Sequence, residues 1–223
     1  MSWRLLGVLG GMGMQATEYF CRLVTDMQSV QAEQEYLDML VYCKPSIPDR
    51  SAYILGTPNA QSPIDALRQA AQTLEKAGAT CIAMPCVTAH YFHKELAESV
   101  DIPLLNALDE TAGYAASKGY RKIGLLATTG TIAAGLFDKV LTDIGISVVK
   151  PTSDEQASLM DLIYEVKQGR DVNDALLDNF SVSLHKKGAE AIVLGCSELS
   201  LLSDENSDYI DAMRILAKAT LEG

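Results

Sequence analysis

The sequence has few of the features that mark secreted or membrane proteins. Its 223 residues include five cysteines, at positions 21, 43, 81, 86 and 196, and no two form a C-x-x-C pair. An odd number of cysteines without a signal-peptide pattern argues against a disulfide framework. No apolar run approaches the roughly 20 residues that cross a bilayer. We therefore expect a reduced, cytoplasmic protein that does not enter a membrane.

Basic side chains are also scarce. The chain has 18 Lys and Arg against 29 Asp and Glu, a formal charge of −11. Such a charge repels phosphate backbones and anionic lipid surfaces, so nucleic acid is excluded as an expected partner. Hydrophobic residues make up 48% of the chain, enough to bury a substantial core.

Short apolar runs alternate with amphipathic stretches along the whole chain. Strands are predicted at 5–9, 39–43, 81–85, 103–107, 122–127, 146–150 and 191–195. Helices are predicted at 16–35, 63–77, 91–99, 133–144, 156–168, 172–187 and 209–221. Strands that alternate with helices predict an α/β fold of parallel sheets with helices on both faces.

The two halves of the sequence resemble each other. The segment 3–9 matches 120–126 at an offset of 117, and 74–82 matches 184–192 at an offset of 110. The second match ends with Cys86 opposite Cys196. Two pseudo-symmetric domains of about 100 residues each are therefore expected, with a cleft between them.

The paired cysteines are the strongest candidates for chemistry. Both Cys86 and Cys196 follow a predicted strand, and open α/β sheets bind ligands at the carboxyl ends of their strands. Inverting a carbon stereocentre needs a base on one face and an acid on the other. A thiol and a thiolate suit both roles, because the thiol pKa of about 8.5 is near neutrality. Cys21, Cys43 and Cys81 are instead expected to be packing residues.

Several motifs resemble those of the aspartate/glutamate racemase family, and the aspartate racemase branch most. These motifs are Gly10-Gly11-Met12-Gly13, Ile47-Pro48-Asp49-Arg50, Met84-Pro85-Cys86-x-Thr88-Ala89-His90, Ala127-Thr128-x-Gly130-Thr131, Val166-Lys167-x-Gly169 and Leu194-Gly195-Cys196-x-Glu198-Leu199. They occur in order over nearly the whole chain.

The resemblance implies a cofactor-independent, PLP-independent racemase that is commonly a homodimer. Cys196 would work on the L-face of an amino acid and Cys86 on the D-face. Arg50 and Lys167 would hold a side-chain carboxylate, since a guanidinium grips carboxylates with two hydrogen bonds. Other substrate contacts would come from Met12, Gly13, Val87, Thr88, Ala89, Thr128 and Ser197. The last helix would return to the first domain, which gives domains of 1–105 plus 207–223 and of 106–206.

The sequence departs from the family pattern beside both cysteines. Val87 stands where asparagine is usual, Ser197 where threonine is usual, and Met14-Gln15 where Pro-Glu is typical. The serine keeps the hydroxyl, whereas the valine loses an amide that helps to hold the substrate.

Three alternatives remain open. Gly11-x-Gly13-x-x-Ala16 fits a loose dinucleotide fingerprint, but the expected acidic residue after the second strand is absent. The chain could instead be a ligand-binding or redox-sensing relative without turnover. It could also act on other amino acids, hydantoins or maleate.

His90 is a further candidate catalytic residue in the Cys86 loop. No His/Cys/carboxylate spacing suggests a metal site.

Overall fold

Two parallel sheets organise the molecule. The computed structural model describes residues 5–170, 172–173, 175–203 and 209–222. The strands are β1 Leu5–Gly10, β2 Asp38–Cys43, β3 Cys81–Ala83, β4 Lys122–Ala127, β5 Ser147–Val149, β6 Ala191–Gly195 and β7 Tyr209–Asp211. The first sheet has the order β2-β1-β3 and the second β5-β4-β6-β7, with every pair parallel.

Helices cover both faces of each sheet. They are α1 Met14–Asp26, α2 Arg50–Ile54, α3 Ile64–Lys76, α4 His93–Ala97, α5 Ala107–Ser117, α6 Thr129–Ala133, α7 Leu136–Thr142, α8 Ser153–Lys167, α9 Ala175–Lys186, α10 Ser197–Ser200 and α11 Ala212–Glu222. Short 3-10 turns span Glu33–Glu35 and Val87–Phe92. This arrangement confirms the α/β prediction.

Adjacent residues of a strand point their side chains into the cores on opposite faces of each sheet. Val8 packs on the side of α1 and α11, whereas Leu9 packs on the side of α3. In the second sheet, Leu125 packs with α5 and α7, whereas Leu126 packs with α8 and α9. Sheets buried on both faces explain why these strands are continuous apolar runs in the sequence.

The internal repeat is visible in the packing. Gly7 in β1 and Gly124 in β4 stand at equivalent positions, and each lies under a helix that approaches closely. A Cβ at Gly7 would lie 3.3 Å from the Cβ of Leu74, and one at Gly124 would lie 3.0 Å from that of Leu184. In each half, a glycine in the strand therefore leaves room for the equivalent helix, which is α3 in the first half and α9 in the second.

The predicted strand at 103–107 is wrong. Within the described residues, this stretch contributes only an isolated bridge between Leu104 and Ile82. Helix α5 begins at Ala107, because the Asn106 side chain accepts a hydrogen bond from Leu108 N at 3.0 Å and caps the helix. The Asn106 cap therefore fixes the start of the helix, and the apolar run before it does not extend into a strand.

For two of the predicted helices, the structure shows why the observed bounds differ from the predicted ones. The helix predicted at 16–35 stops at Asp26, and the Gln28 side chain closes the following turn by accepting from Leu37 N at 2.7 Å. The helix predicted at 133–144 begins at Leu136, because Gly135 takes a left-handed φ of 61° and separates α6 from α7.

The end of the chain links the two halves. The helix predicted at 209–221 is present as α11 from Ala212 onward, and the three residues before it form strand β7, which pairs with β6. Asp211 ends the strand and accepts from Met213 N at 2.9 Å, which fixes the start of the helix. Helix α11 packs against α1 through the buried Met213, Leu216 and Ala217. The domain division itself stays a prediction, and residues 1–4, 171, 174, 204–208 and 223 within it lie outside the described residues.

Candidate active site

Both candidate cysteines lie at the carboxyl ends of strands. Cys86 follows β3 and precedes the turn Val87–Phe92, whereas Cys196 directly follows β6 and precedes α10. Both have extended backbones, and their side chains are 5% and 3% exposed. The two thiols therefore occupy one repeat position in equivalent strand-to-helix turns.

Lys167, the last residue of α8, is an electrostatic neighbour of both thiols. Burial by itself lowers the pKa of Lys167, but Glu198, Cys196 and Cys86 together outweigh burial, so its pKa is raised. The ammonium group consequently stays charged beside two groups that could each carry a thiolate.

A small cavity gathers residues from both halves. Its lining comprises Asp49, Arg50, Ser51, Thr88, Thr128, Tyr164 and Lys167. The volume is about 10 Å³, which is the space of about one water molecule. A cavity of this volume is too small to hold an amino acid.

Arg50 is held from its own loop. Its Nη1 donates to Pro48 O at 2.9 Å and to Ile47 O at 3.2 Å. The residue is 8% exposed, and its buried Nε has no hydrogen-bond partner among the described residues. A buried guanidinium nitrogen without an acceptor is costly, so the site favours an anionic ligand there.

Threonines join the two halves across the cavity. Thr88 Oγ1 shares hydrogen bonds with Thr128 Oγ1 at 2.9 Å and with Thr131 Oγ1 at 3.1 Å. Thr128 also caps α6 by accepting from Thr131 N at 3.1 Å. The predicted contacts Thr88, Thr128, Arg50 and Lys167 are thus brought together.

The other predicted contacts lie elsewhere. Met12 and Ala89 are buried in the same apolar cluster as Cys86. Val87 packs into the core of the second sheet, among residues of α5 and α7, so an apolar side chain suits this position. Ser197 is buried and donates to Glu198 Oε2 at 3.3 Å. Whether these residues contact substrate stays a prediction.

Glu198 is a site residue that sequence reasoning missed. The residue is 2% exposed, and its Oε2 accepts a hydrogen bond from Cys196 Sγ at 3.1 Å. Its Oε1 lies 3.4 Å from Lys167 Nζ, and a Cβ at Gly13 would lie 3.1 Å from it. The glutamate stands inside the quoted Cys196 motif, but its spacing did not reveal that its side chain turns back to the thiol.

Burial and the Glu198 carboxylate together favour the protonated form of Cys196. Burial and the adjacent negative charge raise the pKa of Cys196 well above its ordinary value, although Lys167 opposes them. We expect Glu198→Gln to lower this pKa, because the amide keeps the size but removes the charge. Alkylation of Cys196 by iodoacetamide, followed by peptide mass spectrometry, should then begin at lower pH. An unchanged pH profile would contradict this electrostatic control.

His90 supports the Cys86 loop without facing the cavity. Its Nδ1 lies 3.1 Å from Cys86 O, and its Nε2 accepts from Ala107 N at 3.1 Å. Nδ1 therefore carries the proton and donates to the carbonyl. Burial, then the neighbouring His93, lower the pKa of His90 to about 4. The neutral ring links the Cys86 turn to the start of α5.

This link predicts a pH-dependent stability. Between pH 6.5 and about 4 the unfolded chain binds a proton at His90 that the folded chain does not, so wild-type stability falls as pH is lowered. His90→Gln lacks this group. The free energy of unfolding of wild type minus that of the variant, from urea titrations, should therefore be constant above pH 6.5 and shrink below it. A difference independent of pH would contradict the assignment.

The glycine-rich loop after β1 has a packing explanation. Gly11 has a φ of +92°, and a Cβ there would lie 2.4 Å from Lys44 N. Gly11 N donates to Thr17 Oγ1 at 2.9 Å. The glycines thus let β1 approach the end of β2, which accounts for them without a dinucleotide.

In the part of the chain that is described, no group of three or more His, Cys, Asp or Glu could hold a metal, and no helix is long and apolar enough to span a bilayer.

Known proteins resemble the chain along nearly its whole length. RacX of Bacillus subtilis, a broad-specificity amino-acid racemase, is 29% identical over 97% of this chain and 96% of its own. The structure of Picrophilus torridus aspartate racemase has a TM-score of 0.85 at 30% identity and covers 98% of this chain and 93% of that chain. Glutamate racemase from Francisella tularensis, in complex with D-glutamate, shares the fold with a TM-score of 0.67 at 14% identity, over 97% and 79% of the two chains.

A protein-family model matches the part of the chain that contains the motifs. The model described as Asp/Glu/Hydantoin racemase matches residues 9–220. This range contains both candidate cysteines, the glycine-rich loop and the cations of the cavity. The expected resemblance is confirmed: the chain belongs to the Asp/Glu/hydantoin racemase family.

Proposed function

We propose that the protein is an amino-acid racemase that exchanges the α-proton between Cys86 and Cys196. The observation that carries the proposal is the pairing of two buried thiols at one repeat position, with Lys167 as a charged neighbour of both. Proton exchange at one carbon involves no net oxidation or reduction, so it requires no redox partner.

Cys196 starts the D-to-L reaction as the proton donor. Cys196 donates a hydrogen bond to Glu198 and is therefore a thiol. In the D-to-L direction, the Cys86 thiolate removes the α-proton from one face of the substrate, and the Cys196 thiol donates its proton to the other face. In the L-to-D direction the roles are exchanged. The Lys167 ammonium stabilises whichever sulfur is ionised.

An acidic amino acid, above all aspartate, is the proposed substrate. Arg50 offers an unpaired buried nitrogen, and Lys167 adds a second positive charge in the same cavity. A carboxylate on the substrate side chain would satisfy both cations. The similarity to an aspartate racemase structure supports the same choice.

Broad specificity is the second candidate. Glu198 already lies 3.4 Å from Lys167 and neutralises part of its charge, so Arg50 would be the main anchor for a distal carboxylate. The 29% identity to a broad-specificity racemase supports this alternative. The two candidates differ in substrate range and share the cysteine chemistry.

Incubation with single amino acids in heavy water tests the function. The purified protein, with no added PLP or other cofactor, is mixed with L- or D-aspartate and then with other amino acids. Loss of the α-proton signal in NMR and growth of the other enantiomer by chiral chromatography are expected. A ligand-binding or redox-sensing protein without turnover would leave the α-proton of every amino acid in place.

The family resemblance carries three further proposals. The protein works without a cofactor, forms a homodimer and acts in the cytoplasm. Activity after extensive dialysis against a chelator and hydroxylamine tests the first, because these reagents remove metals and PLP. Sedimentation equilibrium tests the second, and fractionation of cells tests the third.

A further inference from the structure

One face of helix α8 follows the edge of the second sheet where the cavity lies. Gln156 Nε2 donates to Ala127 O at 3.0 Å, at the end of β4. One turn later, Met160 Sδ accepts from Thr129 N at 3.1 Å. The same face continues through Tyr164, four residues further, to Lys167. The neighbouring face carries Leu159, Leu162, Ile163 and Val166 into the core.

Tyr164 is a partly exposed residue of the cavity lining, and its hydroxyl is free to bind a ligand. It lines the cavity together with Arg50 and Lys167, and the residue is 41% exposed. Its hydroxyl has no hydrogen-bond partner among the described residues, whereas the hydroxyls of Thr88 and Thr128 bond to each other at 2.9 Å. The phenol is therefore a donor that the protein leaves available at the cavity.

The electrostatic neighbours of the phenol belong to both halves. They are Asp49 and Arg50 from the first half and Lys167 and Cys196 from the second. Burial and Asp49 raise the pKa of Tyr164, despite the two cations. The group consequently keeps its proton at neutral pH and acts as a hydrogen-bond donor beside the cations.

We propose that Tyr164 determines specificity by donating its phenolic O–H to the side-chain carboxylate of an acidic substrate. This inference rests on the proposed function and narrows its substrate class. A carboxylate has about four acceptor sites, so it can bind Arg50, Lys167 and Tyr164 together. A tyrosine also presents its hydroxyl at low entropic cost, because few torsions must be fixed. A substrate without the carboxylate leaves the hydroxyl in water, where nothing is lost.

The substitution Tyr164→Phe removes only the hydroxyl. Hydrogen bonds to charged groups are strong enough that its loss should raise the KM and the dissociation constant for aspartate about 10-fold or more. The kcat for aspartate should change much less, because the phenol does not touch the reacting carbon. The dissociation constant for alanine should change less than about twofold. Tyr114→Phe is a matched control, since Tyr114 is a helical tyrosine that is 39% exposed outside the cavity lining.

Calorimetry with aspartate and alanine provides a readout that does not need turnover. Equal weakening of both ligands in Tyr164→Phe would overturn the proposal, as would no weakening of either. A lower kcat with unchanged affinity for aspartate would also overturn it, since the hydroxyl would then act in the chemical step. If the wild type binds aspartate but never exchanges its α-proton, the proposed function fails, while the comparison of affinities still decides the role of Tyr164.

Discussion

Replacing Cys86 or Cys196 by alanine is expected to abolish racemisation. In the proposed two-base mechanism each thiol serves one face of the substrate, so neither can substitute for the other. General acid–base groups contribute about 10²- to 10⁴-fold to a rate, and removing one of two required groups should cost at least about 10³-fold. Chiral chromatography of aspartate incubated with each variant measures the loss.

The two variants should differ in the proton that they still exchange. Cys86→Ala retains Cys196, which can remove and return the proton on the L-face, so L-aspartate alone should exchange its α-proton in heavy water. Cys196→Ala should exchange D-aspartate alone. This mirror-image result would separate a two-base mechanism from a mechanism in which one cysteine handles both faces.

A third cysteine supplies the control. Cys21 lies on α1, partly exposed and outside the cavity lining, and Cys21→Ala should racemise at the wild-type rate. Thermal unfolding of all three variants shows whether an inactive protein is still folded. Full activity in either Cys86→Ala or Cys196→Ala would refute the two-base mechanism.

The parts of the fold that follow from repeated apolar runs could be predicted. Strands β4 and β6 were predicted at their observed bounds, and β1 to within one residue. In these strands nearly every residue faces a core on one side or the other, so the runs are almost entirely apolar. The repeat also identified Cys86 and Cys196 as equivalent, because both follow such a strand.

Other features depend on contacts that the sequence does not encode locally. Asn106 and Asp211 each fix the start of a helix through a side-chain hydrogen bond. In the sequence, the apolar residues beside them give a stronger pattern than the capping residue, so neither helix start is predicted correctly. Glu198 and Tyr164 belong to the site because a helix end or helix face turns them toward it. Val87 departs from the family pattern, and its place in the core of the second sheet became clear only from the packing.

Replacing Arg50 by alanine should harm acidic substrates selectively. Arg50 is 8% exposed, and its guanidinium Nε is unpaired among the described residues. A charge-assisted contact to a carboxylate there accounts for an expected loss of about 10- to 100-fold in kcat/KM for aspartate. Alanine has no side-chain carboxylate, so its kcat/KM should fall less than about threefold, and its dissociation constant, measured if turnover is too slow, should rise less than about threefold.

The comparison of two substrates within one variant removes the structural effect. Arg50→Ala also deletes the hydrogen bonds to Ile47 O and Pro48 O, which should lower stability by about 1–3 kcal/mol. That change affects both substrates alike, whereas the missing carboxylate contact affects only aspartate. Arg68→Ala is the control, because Arg68 forms an exposed pair with Asp65 at 3.0 Å on α3. Equal losses for aspartate and alanine would mean that Arg50 only supports its loop, and broad specificity would then be the better description of the enzyme.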